Sequence, residues 1–266
     1  MTGIVTESLS CMTRQDCENL MVRLMPLTYV AGGVPHQDVI AENRPCPADS
    51  YSIAPSAASY YKVFGEYIAR GHNVICITTS ARISSSYANA MVASKAYPAG
   101  RIAVVDSRSV AGALHLLAIT ARELDRSGAG FTDIVQILLS KRDRLATSFS
   151  MNSISTIRDA KRLSRIMHTG AKPILNQKPI CVIENGCIVY KKSVAGVFGE
   201  IRELCRVHTS PRRMTVHYGS RDTLTSELVR MLRSRYPSAQ ILLRPITLSL
   251  RVNLGERIIG VVSDNV

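Results

Sequence analysis

The sequence predicts an α/β fold in two domains, residues 1–150 and 151–266, and three observations predict it. In the first half, short apolar, β-branched runs alternate with stretches of helical period, the pattern of a parallel sheet flanked by helices. In the second half, Glu184-Asn185-Gly186 separates two β-rich segments. Asn-Gly tolerates the positive φ that a type I′ turn demands, so an antiparallel or mixed sheet belongs there. At 266 residues the chain also exceeds the usual single-domain size.

Each element has its own signal. Strands are expected at Ile4 to Thr6, Leu24 to Val30, Val74 to Thr78 and Ile102 to Val105. Tyr60, Phe64, Tyr67 and Ile68 recur at helical spacing, with Ser56 placed to cap the start and Gly71 to end the helix. A second helix follows Ser84, and a third runs from about Ser109 to Arg126 before Gly128. Beyond the boundary near residue 150, helices are expected near Ser153 to Leu163, Val197 to Val207 and Thr223 to Arg235. Strands flank the Asn-Gly turn and recur near Met214 to Tyr218, Gln240 to Arg244 and Ile258 to Val262.

Composition limits the function classes. Hydrophobic residues make up 46% and charged residues 20%, with no long polar tract, which is the composition of a folded protein. No apolar run approaches the roughly 18 residues of a membrane span. The opening MTGIVTESLS lacks the basic-then-apolar pattern of a signal peptide. A cytoplasmic protein is therefore expected. The seven cysteines form no C-x-x-C pair, so neither a disulfide framework nor a zinc site is indicated, and buried reduced thiols are expected. The net charge of +13 is one-sided: residues 1–133 carry 11 basic and 11 acidic side chains, residues 134–266 carry 22 and 9. That asymmetry suits an anionic partner. No helix-turn-helix or RNP-type pattern accompanies it, so nucleic acid is not the expected partner.

Three strand-to-loop junctions of the first half are rich in hydroxyls: Thr6 to Ser8, Thr78 to Ser86 and Asp106 to Ser109. In a parallel sheet, loops at the carboxyl ends of strands gather on one edge, where ligands bind. In TTSARISSSYANA, residues 78–90, a helix starting just after Ser84 puts that hydroxyl beside the backbone N–H groups of Ser85 and Ser86, a cradle for a carboxylate or phosphate. The same serines could serve only as helix caps. No G-x-S-x-G, H-E-x-x-H, G-x-x-x-x-G-K-[ST] or G-x-G-x-x-G occurs. His115, inside AGALHLLAI, reads as a core histidine, and Asp106 as an acceptor for the next turn. Independent catalysis is not expected.

Several stretches, in order, resemble segments of the DegV family. IVTES is similar to that family's opening strand and Asp-Ser, with Glu7 in place of the aspartate. MPLTYV with Gln37-Asp38 resembles its Pro-Leu-x-Val strand and turn. SIAPS at 52–56 resembles Thr-Ser-Gln-Pro-Ser, and SSSYANA at 84–90 resembles Ser-Gly-Thr-Tyr-Gln-Ser-Ala. VVDSRSVAGALHLL from 104 and KPICVIENGCI from 178 match best. The resemblance implies a two-domain α/β fold with a fatty acid in a tunnel between the domains and its carboxylate near the surface. It also implies a separate ATP-dependent fatty acid kinase subunit to which that carboxylate is presented, and no catalytic machinery or cofactor in the carrier itself.

Carried over residue by residue, the resemblance puts the carboxylate on the Ser52 hydroxyl and on Ser84 with the Ser85 amide. Asn253 stands where the family has a histidine, in a segment whose His-x-Gly-Pro-Gly becomes Asn253-Leu254-Gly255-Glu256-Arg257. Ser86, Ser107 and Arg162 are supporting candidates, Arg162 because the family's Gly-Gly-Arg-Ile becomes Ala160-Lys161-Arg162-Leu163. Ile53, Ala54 and Ser85 depart from the pattern. Asn253 can donate an N–H but cannot become a cation, and Arg251 and Arg257 lie near enough in sequence to supply one. The expectation is a carrier of one long-chain fatty acid whose basic second half docks the kinase, with no membrane span and a transient contact with a membrane surface left open. The alternative is a family member that has lost or changed its lipid and acts as a regulatory or interaction protein.

Overall fold

A computed structural model of the chain describes residues 1–40, 46–47, 49–154 and 177–265. The first strand, β1 (Gly3–Glu7), is buried along its whole length. A short 3-10 turn (Ser8–Ser10) leads to α1 (Arg14–Leu20), which opens on a capping box. Thr13 Oγ1 accepts from the Asp16 N–H at 3.1 Å, and Asp16 Oδ2 accepts from the Thr13 N–H at 2.8 Å. β2 (Val22–Met25) then lies parallel to β1.

The strand expected across Leu24–Val30 is in fact two. Pro26 has no N–H to give a ladder, and it separates β2 from β3 (Thr28–Ala31), which enters a different sheet. β3 is flanked antiparallel by β4 (Val34–Gln37) and β5 (Tyr51–Ile53) in a small three-stranded sheet. α2 (Ala57–Ile68) is capped by Ser56, whose hydroxyl accepts from the Ser59 N–H at 3.2 Å. β6 (Val74–Thr78), α3 (Ser86–Ser94), β7 (Ile102–Asp106), α4 (Gly112–Arg126) and α5 (Phe131–Arg142) follow. The four parallel strands run in the order β2-β1-β6-β7.

α4 starts at Gly112, later than the Ser109 expected. Arg108 and Ala111 hold positive φ, 51° and 54°, outside the helical region. Gly112 is needed at the first turn because a Cβ there would lie 1.7 Å from Thr215 Oγ1.

The second sheet has six strands in the order β10-β9-β8-β13-β11-β12. They are β8 (Leu145–Ser150), β9 (Gln177–Glu184), β10 (Cys187–Ala195), β11 (Pro211–Tyr218), β12 (Gln240–Pro245) and β13 (Ile259–Asn265). Only the β11–β12 pair is parallel among them. The β9–β10 turn has Asn185 at φ 50° and Gly186 at φ 80°, the two positive values the dipeptide predicts. α6 (Gly196–Leu204), α7 (Thr223–Arg235) and α8 (Leu248–Leu254) complete the order. α6 stops short of the expected Val207. The helix expected near Ser153 to Leu163 lies, beyond Ile154, outside the described residues, as do Arg162 and His168.

The apolar interior forms several clusters. One packs α4 and α5 on the parallel sheet through Leu114, Leu117, Ile134 and Leu138. A second packs α6 and α7 on the mixed sheet through Ile201, Leu204, Leu228 and Leu232. A third, around Leu9, Leu27, Phe149, Ile188 and Leu250, surrounds the cavity described next. No helix among the described residues is long and apolar enough to cross a membrane.

Candidate functional site

A cavity of about 570 Å³ opens inside that third cluster. Its walls are apolar: Leu9, Leu27, Val110, Phe149, Ile188 and Leu250. Its polar lining comes from Ser52, Ser84, Ser85, Asn253 and Arg82. The four principal residues singled out in the sequence therefore converge on one space, although 201 positions separate Ser52 from Asn253.

Ser52 is placed by β5, where it stands opposite Tyr29 of β3. Asn253 comes from the last turn of α8. Its amide donates one N–H to Ser52 Oγ at 2.8 Å and the other to the Ser249 carbonyl at 2.6 Å. Ser52 Oγ, acting as acceptor, keeps its own proton for an acceptor in the cavity. Asn253 thus orients Ser52 with both of its N–H donors engaged inside the protein.

α8 is held by Asp38. One carboxylate oxygen accepts from the Ser249 N–H at 2.8 Å, and the other from the Ser8 hydroxyl at 2.7 Å. Burial pushes the Asp38 carboxyl above its ordinary value, against these hydrogen bonds.

The other half of the polar end is the loop between β6 and α3. The N–H groups of Ile83 and Ser84 both donate to the Ser80 carbonyl, at 2.9 and 3.0 Å, and fold the loop into a tight turn. Ser80 Oγ donates to the Gly186 carbonyl at 2.7 Å, which fixes the turn to the β9–β10 hairpin. Ser84 Oγ lies 2.9 Å from Ser86 Oγ and accepts from the Ser86 N–H at 3.2 Å. The cradle expected from the sequence is accordingly narrower: the Ser86 N–H is taken up by Ser84, while the Ser85 N–H has no protein acceptor among the described residues.

Ser107 stands apart from this group. It is absent from the cavity lining, and its hydroxyl closes its own turn by donating to the Ser109 carbonyl at 3.1 Å. Asp106 accepts from the Arg108 N–H at 2.8 Å and the Ala81 N–H at 3.2 Å, the turn-stabilising role expected of it. Arg251 and Arg257 do not line the cavity. Arg251 is buried and donates to the Gly219 carbonyl at 2.6 Å, and Arg257 is paired with Glu200 at 2.9 and 3.0 Å.

The cation at the cavity is Arg82, which sequence reasoning passed over. It is exposed, and its Nη1 lies 3.5 Å from Cys187 Sγ. Its position between a strand end and a helix start, inside the quoted 78–90 segment, was the available signal. All seven cysteines are free thiols, and no group of three or more His, Cys, Asp or Glu among the described residues is placed to hold a metal.

Behind the serines lies Glu7, fully buried. Thr79 donates to it through its hydroxyl at 2.7 Å and its N–H at 3.3 Å, and Tyr60 through its hydroxyl at 3.2 Å. Burial raises the Glu7 carboxyl above its ordinary value, while those hydrogen bonds pull it down.

Fold and site together define a class: an α/β protein of a parallel sheet, a mixed sheet and a small antiparallel one, with a largely apolar cavity whose lining includes a cluster of serine and asparagine donors. A model of the DegV family of uncharacterised proteins matches residues 1–265, and the chain belongs to that family. It is similar to a DegV domain-containing protein of Deinococcus radiodurans, 25% identical over 229 residues, which are 79% of each chain. Two solved structures are similar in fold. A fatty-acid-binding DegV family protein from Thermus thermophilus has a TM-score of 0.87 at 18% identity, covering 100% of this chain and 99% of that one. A DegV family protein from Eubacterium eligens, loaded with heptadecanoic acid, has a TM-score of 0.84 at 14% identity and covers both chains fully, at 100% each.

Proposed function

We propose that the cavity binds one long-chain fatty acid, its alkyl chain among Leu27, Phe149, Ile188 and Leu250 and its carboxylate at Ser52, Ser84 and the Ser85 N–H. The observation that carries this reading is the convergence of Ser52, Asn253, Ser84 and Ser85 on one largely apolar cavity. An anion held by neutral donors at a helix start needs no buried cation. The fatty acids bound by the structural relatives support the same ligand class. Arg82, at the same polar end, adds a long-range attraction for the anion.

The chain acts as a carrier, presenting the carboxylate to a separate ATP-dependent kinase that docks on the basic residues of the second half. Native mass spectrometry of freshly purified protein, followed by extraction, tests the first part. One long-chain fatty acid per chain supports the reading; a protein that arrives empty and refuses added oleate overturns it and leaves an interaction protein. Docking that is indifferent to salt between about 0.05 and 0.5 M would remove the charged-docking part.

A further inference from the structure

The outer face of α6 combines apolar and cationic side chains that the cavity does not use. Val197 and Phe198 stand in its first turn, 41% and 74% exposed. Phe198 is the most exposed of the large apolar side chains among the described residues. Arg202 and Arg206 follow it at i+4 and i+8, on the same side of the helix, with side chains 78% and 71% exposed. The sheet beneath adds two lysines. Val194 of β10 lies under Gly199, where a Cβ would stand 3.6 Å from it, and is paired with Lys178 of β9. Lys192, two residues before Val194, points to the same side of the sheet.

These four cations share one carboxylate. Glu203, buried beneath them, lies 2.8 Å from Lys192, 3.5 Å from Arg206 and 3.8 Å from Arg202. Lys178 donates to the neutral Asn152 Oδ1 at 3.0 Å. The other acid of α6, Glu200, is buried and paired with Arg257. The face therefore keeps a net positive charge around a protruding aromatic ring. Two apolar side chains fall far short of the roughly 20 to 30 residues that each side of a stable protein interface contributes. A bilayer asks for no matching shape: an aromatic ring enters the headgroup layer while arginine and lysine meet anionic phosphates.

We propose that the outer face of α6 docks on an anionic bilayer surface, with Phe198 inserted among the headgroups and Arg202, Arg206, Lys192 and Lys178 on the lipid phosphates. The proposal goes beyond the fatty-acid reading of the cavity and does not depend on it. β10 sets the orientation. The strand begins at Cys187, 3.5 Å from Arg82 of the cavity lining, and ends at Ala195 beside α6. At the rise of an extended strand its nine residues put the patch roughly 25 Å from Arg82. A docked molecule therefore keeps Ser52, Ser84 and Arg82 away from the lipid surface, where a soluble partner reaches them.

The chain has no tryptophan, so Phe198→Trp gives a single reporter at the patch and Ile53→Trp one in the cavity lining. Vesicles of phosphatidylcholine alone and of phosphatidylcholine with about 30% phosphatidylglycerol are the probes. The expected result is a blue shift of the Phe198→Trp emission, and its quenching by brominated lipid, on the anionic vesicles only, with Ile53→Trp unchanged. In co-sedimentation the wild type binds the anionic vesicles and is released by about 0.5 M salt. Phe198→Ser weakens that binding several-fold, and Arg202→Gln/Arg206→Gln weakens it by about fivefold for each cation removed. Equal binding to both vesicle types, binding to neither, or quenching of Ile53→Trp without Phe198→Trp overturns the proposal. Vesicle binding unchanged in Phe198→Ser and in the double arginine variant overturns it too and leaves the face to an acidic protein. A wild-type dimer that Phe198→Ser dissociates, without vesicle binding, assigns the face to a second copy instead. Failure of the cavity to take oleate leaves the vesicle result standing, so the two readings fail separately.

Discussion

Ser84 stands where backbone and ligand chemistry meet, since its oxygen accepts from the Ser86 N–H and its proton can go either to the Ser86 hydroxyl or to an acceptor in the cavity. Ser84→Ala removes that donor from a charged acceptor, an interaction worth about 1.5 to 3 kcal/mol. Oleate affinity is expected to fall about 10- to 100-fold, with thermal stability little changed; an unaltered affinity would displace the head group from this loop. Asn253 acts differently, because both of its N–H donors are engaged by Ser52 and Ser249. Its contribution passes through Ser52. The double variant Ser52→Ala/Asn253→Ala is therefore expected to lose less affinity than the sum of the single losses, whereas additive losses would give Asn253 its own contact with the ligand.

Two elements depend on single side chains in ways that stability measurements will reveal. α8 is tied to the start of the chain by Asp38, which accepts from the buried Ser8 hydroxyl and Ser249 N–H. Asp38→Ala leaves two buried donors without an acceptor and is expected to cost about 3 kcal/mol in urea unfolding; Asp38→Asn, which keeps one carbonyl acceptor, costs less. α4 reaches β11 so closely that a Cβ on Gly112 would also lie 2.6 Å from His217 Nε2. Gly112→Ala is expected to destabilise by about 3 kcal/mol, seen as a lowered Tm. What was legible in the sequence follows from how local the cause is. The Asn185-Gly186 turn and α7 carry their signals within a few residues, and both formed where expected. β4 was not seen because its four residues are all exposed and include Pro35, so no apolar period marks it. Pro26 was read through, though it is what divides β2 from β3. Ser84 was legible as a hydroxyl at a helix start, whereas Ser52 was legible only through resemblance, and its partner, 201 positions away, sets its geometry by a contact that no local pattern encodes.

At the scale of the molecule, three buried histidines make the fold sensitive to acid. Burial lowers His115 to about 4, and His208 and His217 to about 3, from an ordinary value of 6.5. Below pH 6.5 the unfolded chain takes up protons that the folded one refuses, so stability falls as pH drops, by about 1.4 kcal/mol per unit for each histidine. For His115 the loss levels off near pH 4. The raised carboxyls of Glu7 and Asp38 act in the opposite sense, so the contribution is isolated by substitution. His115→Leu, which also removes a buried Nδ1 without a partner, is expected to reduce the slope of unfolding free energy between pH 6.5 and 5 by about 1.4 kcal/mol per unit. An unchanged slope would mean that His115 takes up its proton in the folded chain as readily as in the unfolded one.

The position of β13 has a consequence for biosynthesis. Residues 259–265 lie between β8 and β11, in the middle of the six-stranded sheet. During translation that place stays vacant until residue 265 has been made, and until then β8 and β11 have no shared neighbour to bring them together. Asn253, too, reaches Ser52 only then. Up to that point only the parallel sheet is able to form, and a chain cut before residue 253 should lack the Asn253–Ser52 contact and leave its second sheet open.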